Sequence, residues 1–526
     1  MKKLICIFFA AVLFVSAGCK KSFFDINQNP NSPTEESITP ELLMPRAINR
    51  AAIKTASSYS NYAGWMGYWS RSGTYGPNPA NEGYQLTSSF EADEWNDWYD
   101  ILYDFDIMEK KATAKNQNYY VAVAKIMKSI GFMYLVDQYN NVPYSEAFNL
   151  TEHIQPKYDK GADIYADLIK QLNTAMDLLG VAGVASDPTI ANVDIVYKGN
   201  ATLWRKLANT QKLKLLIHES EFISAGTATA EIAKTYAIGY LSTITVPFAG
   251  AIRPVFATDE GAYVQPGYVA DANKQNPFYD NYDTDFKGSL VNDYWRANNF
   301  LLYTYGVGSA DQDARLTRVF DKAVTSTDPG DPVADYLGTN YGEIVPNGGP
   351  QAVNQADVSG PGLSVAANQA QWLFTVTESL FLQAEAAERG WIGGSAKTLY
   401  ESAVTSSFMF LGVAANAADY IADFASYDDG GNNIKLIATQ KYIAMAGINN
   451  FEGWVDYRRL DGAQAILSSP AEQEQLLSFS PERGDKQIPL RLIYAQSEYN
   501  YNPANVAAQG IINPQSSLIF WDKAKR

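Results

Sequence analysis

Apolar positions recur at spacings of three and four along most of this chain, which predicts a largely helical protein. Tyr120, Val123, Ala124, Met127, Gly131, Tyr134 and Leu135 trace one helix, which stops at Asn140-Asn141-Val142-Pro143 because proline disfavours helical backbone in the residue before it. Ile164, Leu168, Ala175 and Leu179 trace a second, closed by Gly180. Trp204, Leu207, Ala208, Gln211 and Leu215 trace a third. Near the N-terminus Thr39 can cap a helix with Pro40 at its first position, and Pro45 is expected to kink that helix or delay its start.

The clearest unit is Leu373, Val376, Leu380, Ala384 and Ala387, closed by Arg389-Gly390. After a turn, a second helix follows from a Ser395 cap through Ala396, Tyr400 and Ala403. A small residue, three spacers and an aromatic is how a tetratricopeptide-like helix pair packs, the small residue making room for a neighbouring ring. The fold class expected is therefore mainly α, with several such pairs stacked into a curved scaffold. Between about residues 225 and 360 the pattern changes to Gly, Pro, Asn, Asp and Tyr. This stretch reads as a loop-rich, irregular region mounted on the helices, and such loops usually carry function.

The first residues stand apart. Lys2 and Lys3, an apolar run from Leu4 to Val15, and Ser16-Ala17-Gly18 have the layout of an export signal. The run is shorter than the roughly 20 apolar residues of a membrane span, and no later segment is expected to cross a bilayer. The small-small-Cys ending resembles a bacterial lipoprotein signal, which makes Cys19 the lipidated first residue of the mature chain; the plain alternative is an ordinary secretory signal. Several acyl chains, at about 0.8 kcal/mol per buried methylene, would anchor the protein to a membrane without crossing it. The expected organisation is a signal peptide at 1–18, a lipidated tether at 19–40 and one domain over 41–526.

Composition then removes whole classes of chemistry. Cys6 leaves with the signal, so a lipidated Cys19 leaves no thiol for nucleophilic, metal or redox work. His153 and His218 are the only histidines, too few for a multi-histidine zinc site. Loss of Lys2 and Lys3 moves the formal charge from −16 to −18, a balance that phosphate backbones repel; nucleic acid is not an expected partner.

Aromatic residues make up 13% of the chain, including 34 tyrosines, and their clustering points to a binding role. Asn61 to Tyr75, NYAGWMGYWSRSGTY, sets Trp65, Tyr68, Trp69 and Tyr75 among glycines together with Arg71. Such a segment serves either as a loop whose rings stack on sugar faces or as an aromatic plug between helices. A second cluster, Tyr263, Tyr268, Phe278, Tyr279, Tyr282, Tyr294 and Trp295, lies in the loop-rich region. The candidate ligand-binding residues are Trp65, Tyr68, Trp69, Arg71, Tyr75, Tyr279, Tyr282 and Trp295, with Asn81, Asn276 and Asp283 as nearby partners for hydroxyls.

Other patterns look catalytic and read otherwise. Asp93, Asp97, Asp100 and Asp104 share one helical face and are expected to form a solvated stripe, because a glycosidase pair needs one carboxyl in an apolar pocket. Asp283-Thr-Asp285 and Asp311-Gln-Asp313 lack the Gly and Glu of a calcium loop; no cofactor or metal is expected, with calcium the one candidate. Gly393 to Thr398 resembles a phosphate loop, but Ala396 stands where glycine must precede the lysine.

The C-terminal stretch TQKYIAMAGINNFEGWVDYRR, Thr439 to Arg459, resembles the QK helix and E-x-W-x-D-x-R-R of the SusD/RagB family of nutrient-binding outer-membrane lipoproteins. DINQNPNSPT, NVPYSEAF, LWRKLANTQKLKL, SLFLQAEAAERGW and QIPLRLIYAQSEYNYN agree with it in order along nearly the whole chain. The resemblance implies a non-catalytic, cell-surface protein that captures oligosaccharides or peptides and serves as a lid over a SusC-like TonB-dependent barrel. Lys20-Lys21-Ser22 carry no acidic cluster, so the outward-facing position is implied by the resemblance alone. It also implies ligand sites combining an early loop with a middle one. Trp454, Asp456, Arg458 and Arg459 read as buried ion pairs that lock loops to the scaffold rather than as a site. Two competing readings are a surface glycoside hydrolase with paired carboxylates and a purely structural lid.

Overall fold

The computed structural model describes residues 37–57, 59–149, 151–242, 259–428, 431–460, 462 and 475–522. The segment read as an export signal, Cys19 and most of the expected tether lie outside the described residues. The chain is mainly helical. Five long helices, α1 (Pro40–Ser57), α2 (Ala92–Ala114), α3 (Asn118–Tyr139), α4 (Gly161–Leu179) and α5 (Ala201–His218), pack each against the next or next-but-one, α1 on α2, α2 on α3, α3 on α4 and α4 on α5. The second group is α6 (Val376–Glu388), α7 (Ala396–Phe410), α8 (Asn433–Met445) and α9 (Asn450–Arg459); α6 packs on α7 and α8 and also touches α5, joining the two halves.

The predicted boundaries follow from local chemistry. The Ser395 hydroxyl accepts from Thr398 N at 3.2 Å and so caps α7, and Tyr400 and Ala403 are buried in the helix pair. Two expectations shift. Leu373 belongs to a strand, Gln371–Phe374, and α6 starts only after the Thr375 cap, whose hydroxyl accepts from Glu378 N. Pro45 does not delay α1, which begins at Pro40 and carries Pro45 within it; a missing amide there costs a single hydrogen bond.

A third shift concerns α3. By length and composition it is apolar enough to cross a membrane, contrary to expectation, but it is buried within the helical array on nearly every side. All-round burial demands all-round apolarity, whatever the surrounding medium.

The acidic stripe on α2 is not merely solvated. Arg46, Arg50 and Lys54 repeat every four residues on α1 and face it: Arg50 reaches Asp104 at 3.0 Å and Asp100 at 3.8 Å, Lys54 reaches Asp97 at 3.0 Å and Glu94 at 3.3 Å, and Arg46 lies 3.7 Å from Asp104. Two complementary ladders therefore seam the helices together, the partly exposed pairs each worth under about 1 kcal/mol.

The E-x-W-x-D-x-R-R residues build the ion network at the centre of the fold. Lys441 on α8 bonds Glu452 at 2.6 Å and Asp456 at 3.2 Å on α9. Lys214 on α5 bonds Glu452 and Glu378 at 2.8 and 2.6 Å. The Arg458 guanidinium lies 3.3 Å over the Trp454 ring and 4.8 Å from Trp521. All these charged groups are buried; Glu452 and Asp456 pair with lysines as the ion-pair reading expects, whereas Arg458 donates to the backbone carbonyls of Asp137 and Leu490, and together they tie helices far apart in sequence.

Among the described residues, three two-stranded antiparallel ribbons complete the fold. In one of them β1 (Trp69–Arg71) pairs with Trp295–Ala297, Trp69 opposite Ala297 and Arg71 opposite Trp295.

Candidate functional site

That ribbon joins the two aromatic clusters, so the early segment and the middle region do meet. The early segment is not a free loop. Ser60–Trp65 is a short helix, its tyrosine and tryptophan turned inward, and β1 is wholly buried. Tyr62 packs 4.7 Å from Trp454 and Trp65 packs 5.7 Å from it, while Trp65 stacks on Phe90 at 5.8 Å. Tyr68 donates its hydroxyl to Tyr442 O at 2.8 Å. The glycines in these segments serve close packing: a Cβ on Gly64 would fall 2.5 Å from the Tyr341 ring, and one on Gly453 2.6 Å from the Tyr68 hydroxyl.

Most of the sequence-derived candidates therefore change role. Trp65 and Tyr68 are fully enclosed and Trp69 is nearly so, which corrects the stacking platform to an aromatic plug. The physical reason is that bulky rings gain most by complete removal from water, and the neighbouring glycines let helices close over them. Trp69 meets Tyr282 edge-on at 5.0 Å, and Tyr282 is itself buried. The cavity beside them, bounded also by Phe278 and Trp372, holds about 10 Å³, room for no more than one water. No saccharide fits there.

Arg71 is also committed internally. Its Nε donates to Glu82 Oε1 at 2.7 Å, Nη2 donates to Glu343 O at 2.8 Å and Nη1 to Tyr75 O. With both groups buried, this ion pair fixes the turn after β1 and leaves the guanidinium no role toward a ligand. Asn81 accepts from Tyr341 Oη, Asn276 caps Pro277–Tyr282 by accepting from Tyr279 N, and Asp283 accepts from Ser364 Oγ at 2.5 Å. These polar candidates also serve the fold.

Where the ribbon reaches the surface, a rim of aromatic groups remains. Tyr75, 39% exposed, lies 5.1 Å from Tyr294, which in turn meets Trp295 edge-on at 5.0 Å. Tyr294 and Trp295 are half-buried. The Tyr75 hydroxyl donates to Asp293 Oδ1 at 2.5 Å, and Ser72 anchors the same loop by donating to Asp293 O at 2.7 Å. That hydrogen bond to Asp293 raises the Tyr75 phenol above its ordinary value; burial raises Tyr294. Both are neutral donors across the physiological range. Tyr279 is half-buried near the start of the same segment, its hydroxyl 3.0 Å from Thr284 Oγ1.

The rim can do two things chemically: offer apolar ring faces to the C–H side of a sugar, and offer phenol, indole and carboxylate edges to hydroxyls. Tyr75 and Trp295 thus keep the role read from sequence as candidates, and Tyr294 joins them. Asp293 carries no sequence signal, since one more aspartate in a polar loop looks like any other. Among the described residues no group of three or more His, Cys, Asp or Glu side chains converges as a metal site.

A chitin-binding protein has a TM-score of 0.70 and 22% identity, covering 92% of this chain and all of its own. A chitin-binding SusD homologue from Flavobacterium johnsoniae gives 0.68 and 21%, covering 91% and 99%. A SusD/RagB family protein from Bacteroides thetaiotaomicron gives 0.68 and 21%, covering 93% and 100%. At these identities the likeness establishes the fold. No curated protein matches the sequence. The family model described as "Starch-binding associating with outer membrane" matches residues 30–495, and by that extent the chain belongs to the SusD-like family of nutrient-binding outer-membrane proteins.

Proposed function

We propose that this protein captures neutral oligosaccharides at the rim formed by Tyr75, Asp293, Tyr294 and Trp295, without turnover, and delivers them to a SusC-like TonB-dependent barrel. Cys19 would carry the lipid anchor and hold the domain on the outer face of the outer membrane. The observation that carries the reading is the ribbon between Trp69–Arg71 and Trp295–Ala297. It fixes three adjacent rings at the surface in one arrangement, so little side-chain freedom is lost when a ligand docks. Membership of a family described as starch-binding, and a fold shared with chitin-binding proteins, support a glycan over a peptide.

The test is titration of the mature soluble chain with maltohexaose, chitohexaose and a mixed peptide library, beside a Tyr75→Ala/Trp295→Ala variant. Binding of a glycan that the variant loses by about tenfold or more supports the rim, since stacked rings are worth about 0.5–1.5 kcal/mol each. Glycan binding left intact by the variant would place the site elsewhere. Peptide binding in place of glycan would change the ligand class, and release of shorter sugars abolished by one Asp or Glu substitution would make the protein an enzyme.

A further inference from the structure

A larger recess lies in the helical scaffold, and it shares no residue with the rim. It encloses about 540 Å³ between α2, α3, α4 and the turn that follows α3, within the usual size of small-ligand sites. The turn is the YSEAF part of NVPYSEAF, a segment the rim leaves without a role.

Its floor is aromatic. Phe132 meets Tyr144 edge-on at 4.7 Å and lies 6.2 Å from Phe148, and Tyr144 and Phe148 are only half-buried. The turn holding them is fixed: the amides of Tyr144 and Ser145 donate to Asp159 Oδ2 at 3.0 and 2.8 Å, and the Tyr144 hydroxyl donates to Asp167 at 2.6 Å. Phe148 sits at φ +63°, a left-handed conformation rarely adopted by a bulky residue. Backbone held in such a state marks places where position is worth its strain.

The wall is charged and internally paired, three lysines to two carboxylates. Lys128 reaches Asp106 at 2.8 Å and Glu109 at 3.2 Å; Lys125 reaches Glu109 and Gln171 Oε1, both at 2.6 Å; Lys110 reaches Asp106 at 2.6 Å and Phe148 O at 3.3 Å. A charged ligand would compete with these pairs, whereas a neutral one leaves them in place. Each ammonium has three hydrogens and spends two on the partners named, and each carboxylate keeps lone-pair capacity. The wall therefore offers donors and acceptors together, which is what alcohol hydroxyls need.

We propose that this recess is a second binding site, specific for a neutral saccharide unit stacked on Phe148 and Tyr144 with its hydroxyls on Lys128, Lys125 and Glu109. Two sites on one chain would hold separate stretches of a long glycan, raising avidity through effective concentration.

The test counts sites by calorimetry with maltohexaose and chitohexaose on the mature soluble chain, the rim variant Tyr75→Ala/Trp295→Ala, Phe148→Gly and Lys128→Met. Phe148→Gly removes the ring while suiting the left-handed backbone, and Lys128→Met keeps the stem, so one recess variant remains informative if the other fails to fold. The expected result is residual binding in the rim variant, weakened about tenfold or more by adding either recess substitution, with crystals soaked in the same sugar showing it against Phe148. The proposal is overturned if the recess variants bind as wild type, if the rim variant alone abolishes all binding, or if wild type binds neither sugar at millimolar concentration.

Discussion

Arg459 on α9 grips Glu385 on α6 through two parallel hydrogen bonds, Nη1 to Oε1 at 2.7 Å and Nη2 to Oε2 at 2.6 Å, with both side chains buried. Arg459 Nε also donates to Asp456 Oδ1 at 2.8 Å. Planar fork-to-fork pairing of this kind is specific to guanidinium. Arg459→Ala would leave the buried Glu385 to Arg389 alone, 2.9 Å away, and is expected to cost about 3 kcal/mol, the lower end of the range for breaking a buried pair, measured by urea unfolding. Arg459→Lys should recover only part of that loss; full recovery would show that charge alone matters.

Acid should weaken the same lock. Burial by itself would raise the Glu385 carboxyl, but Arg459 and Arg389 outweigh it and hold the group at about 2, below its free value of 4.5. A depressed carboxylate contributes stability above the unfolded value and loses it as pH falls through the folded one. Melting temperature should therefore drop between pH 5 and 2, and Glu385→Gln should flatten that part of the profile while lowering stability at neutral pH.

His218 should remain charged at pH values where free histidine is neutral. Burial lowers its proton affinity, but Glu452 and Asp137 overcome this, with Nε2 3.1 Å from Glu452 and Nδ1 2.9 Å from Asp137. Its folded value is raised above 6.5, so its contribution is complete below 6.5 and fades as pH rises through the folded value. The sequence holds only two histidines, so NMR of the imidazole carbons would separate His218 from the part-exposed His153. Titration of His218 near 6.5 would contradict the bridging geometry.

The aromatic residues should divide by role. Trp65→Ala empties a fully buried site and should cost about 3–5 kcal/mol. Gly64→Ala, which presses a methyl into the Tyr341 ring, should cost about 1–3 kcal/mol. Tyr75→Ala, at the exposed rim, should change unfolding by less than about 1 kcal/mol while weakening glycan binding. Calorimetric melting and titration of the three variants would check the division.

How much of this was legible in the chain depended on the range of the interaction. Helix spans and caps, such as Ser395 before α7 or the stop after Tyr139, are set by contacts a few residues apart, so spacing and capping chemistry reveal them. The E-x-W-x-D-x-R-R segment was legible as ion pairing because buried guanidinium and carboxylate groups require partners, yet Glu385, Lys214 and His218 as those partners were not. In the same way the α2 acidic stripe looked solvated until α1 brought its matching cations.

The sequence by itself determined a mainly helical chain with one aromatic-rich early segment, a loop-rich middle and the SusD/RagB motifs, because composition, periodicity and short motifs are local properties. Only the tertiary structure decided which rings meet solvent. Trp65 and Tyr75 lie ten residues apart in one aromatic run, and no local rule separates them. Helix α9 closes over Trp65, whereas the ribbon with Trp295–Ala297 carries Tyr75 out to the surface; burial is a property of what packs on a residue, and those partners come from hundreds of positions away.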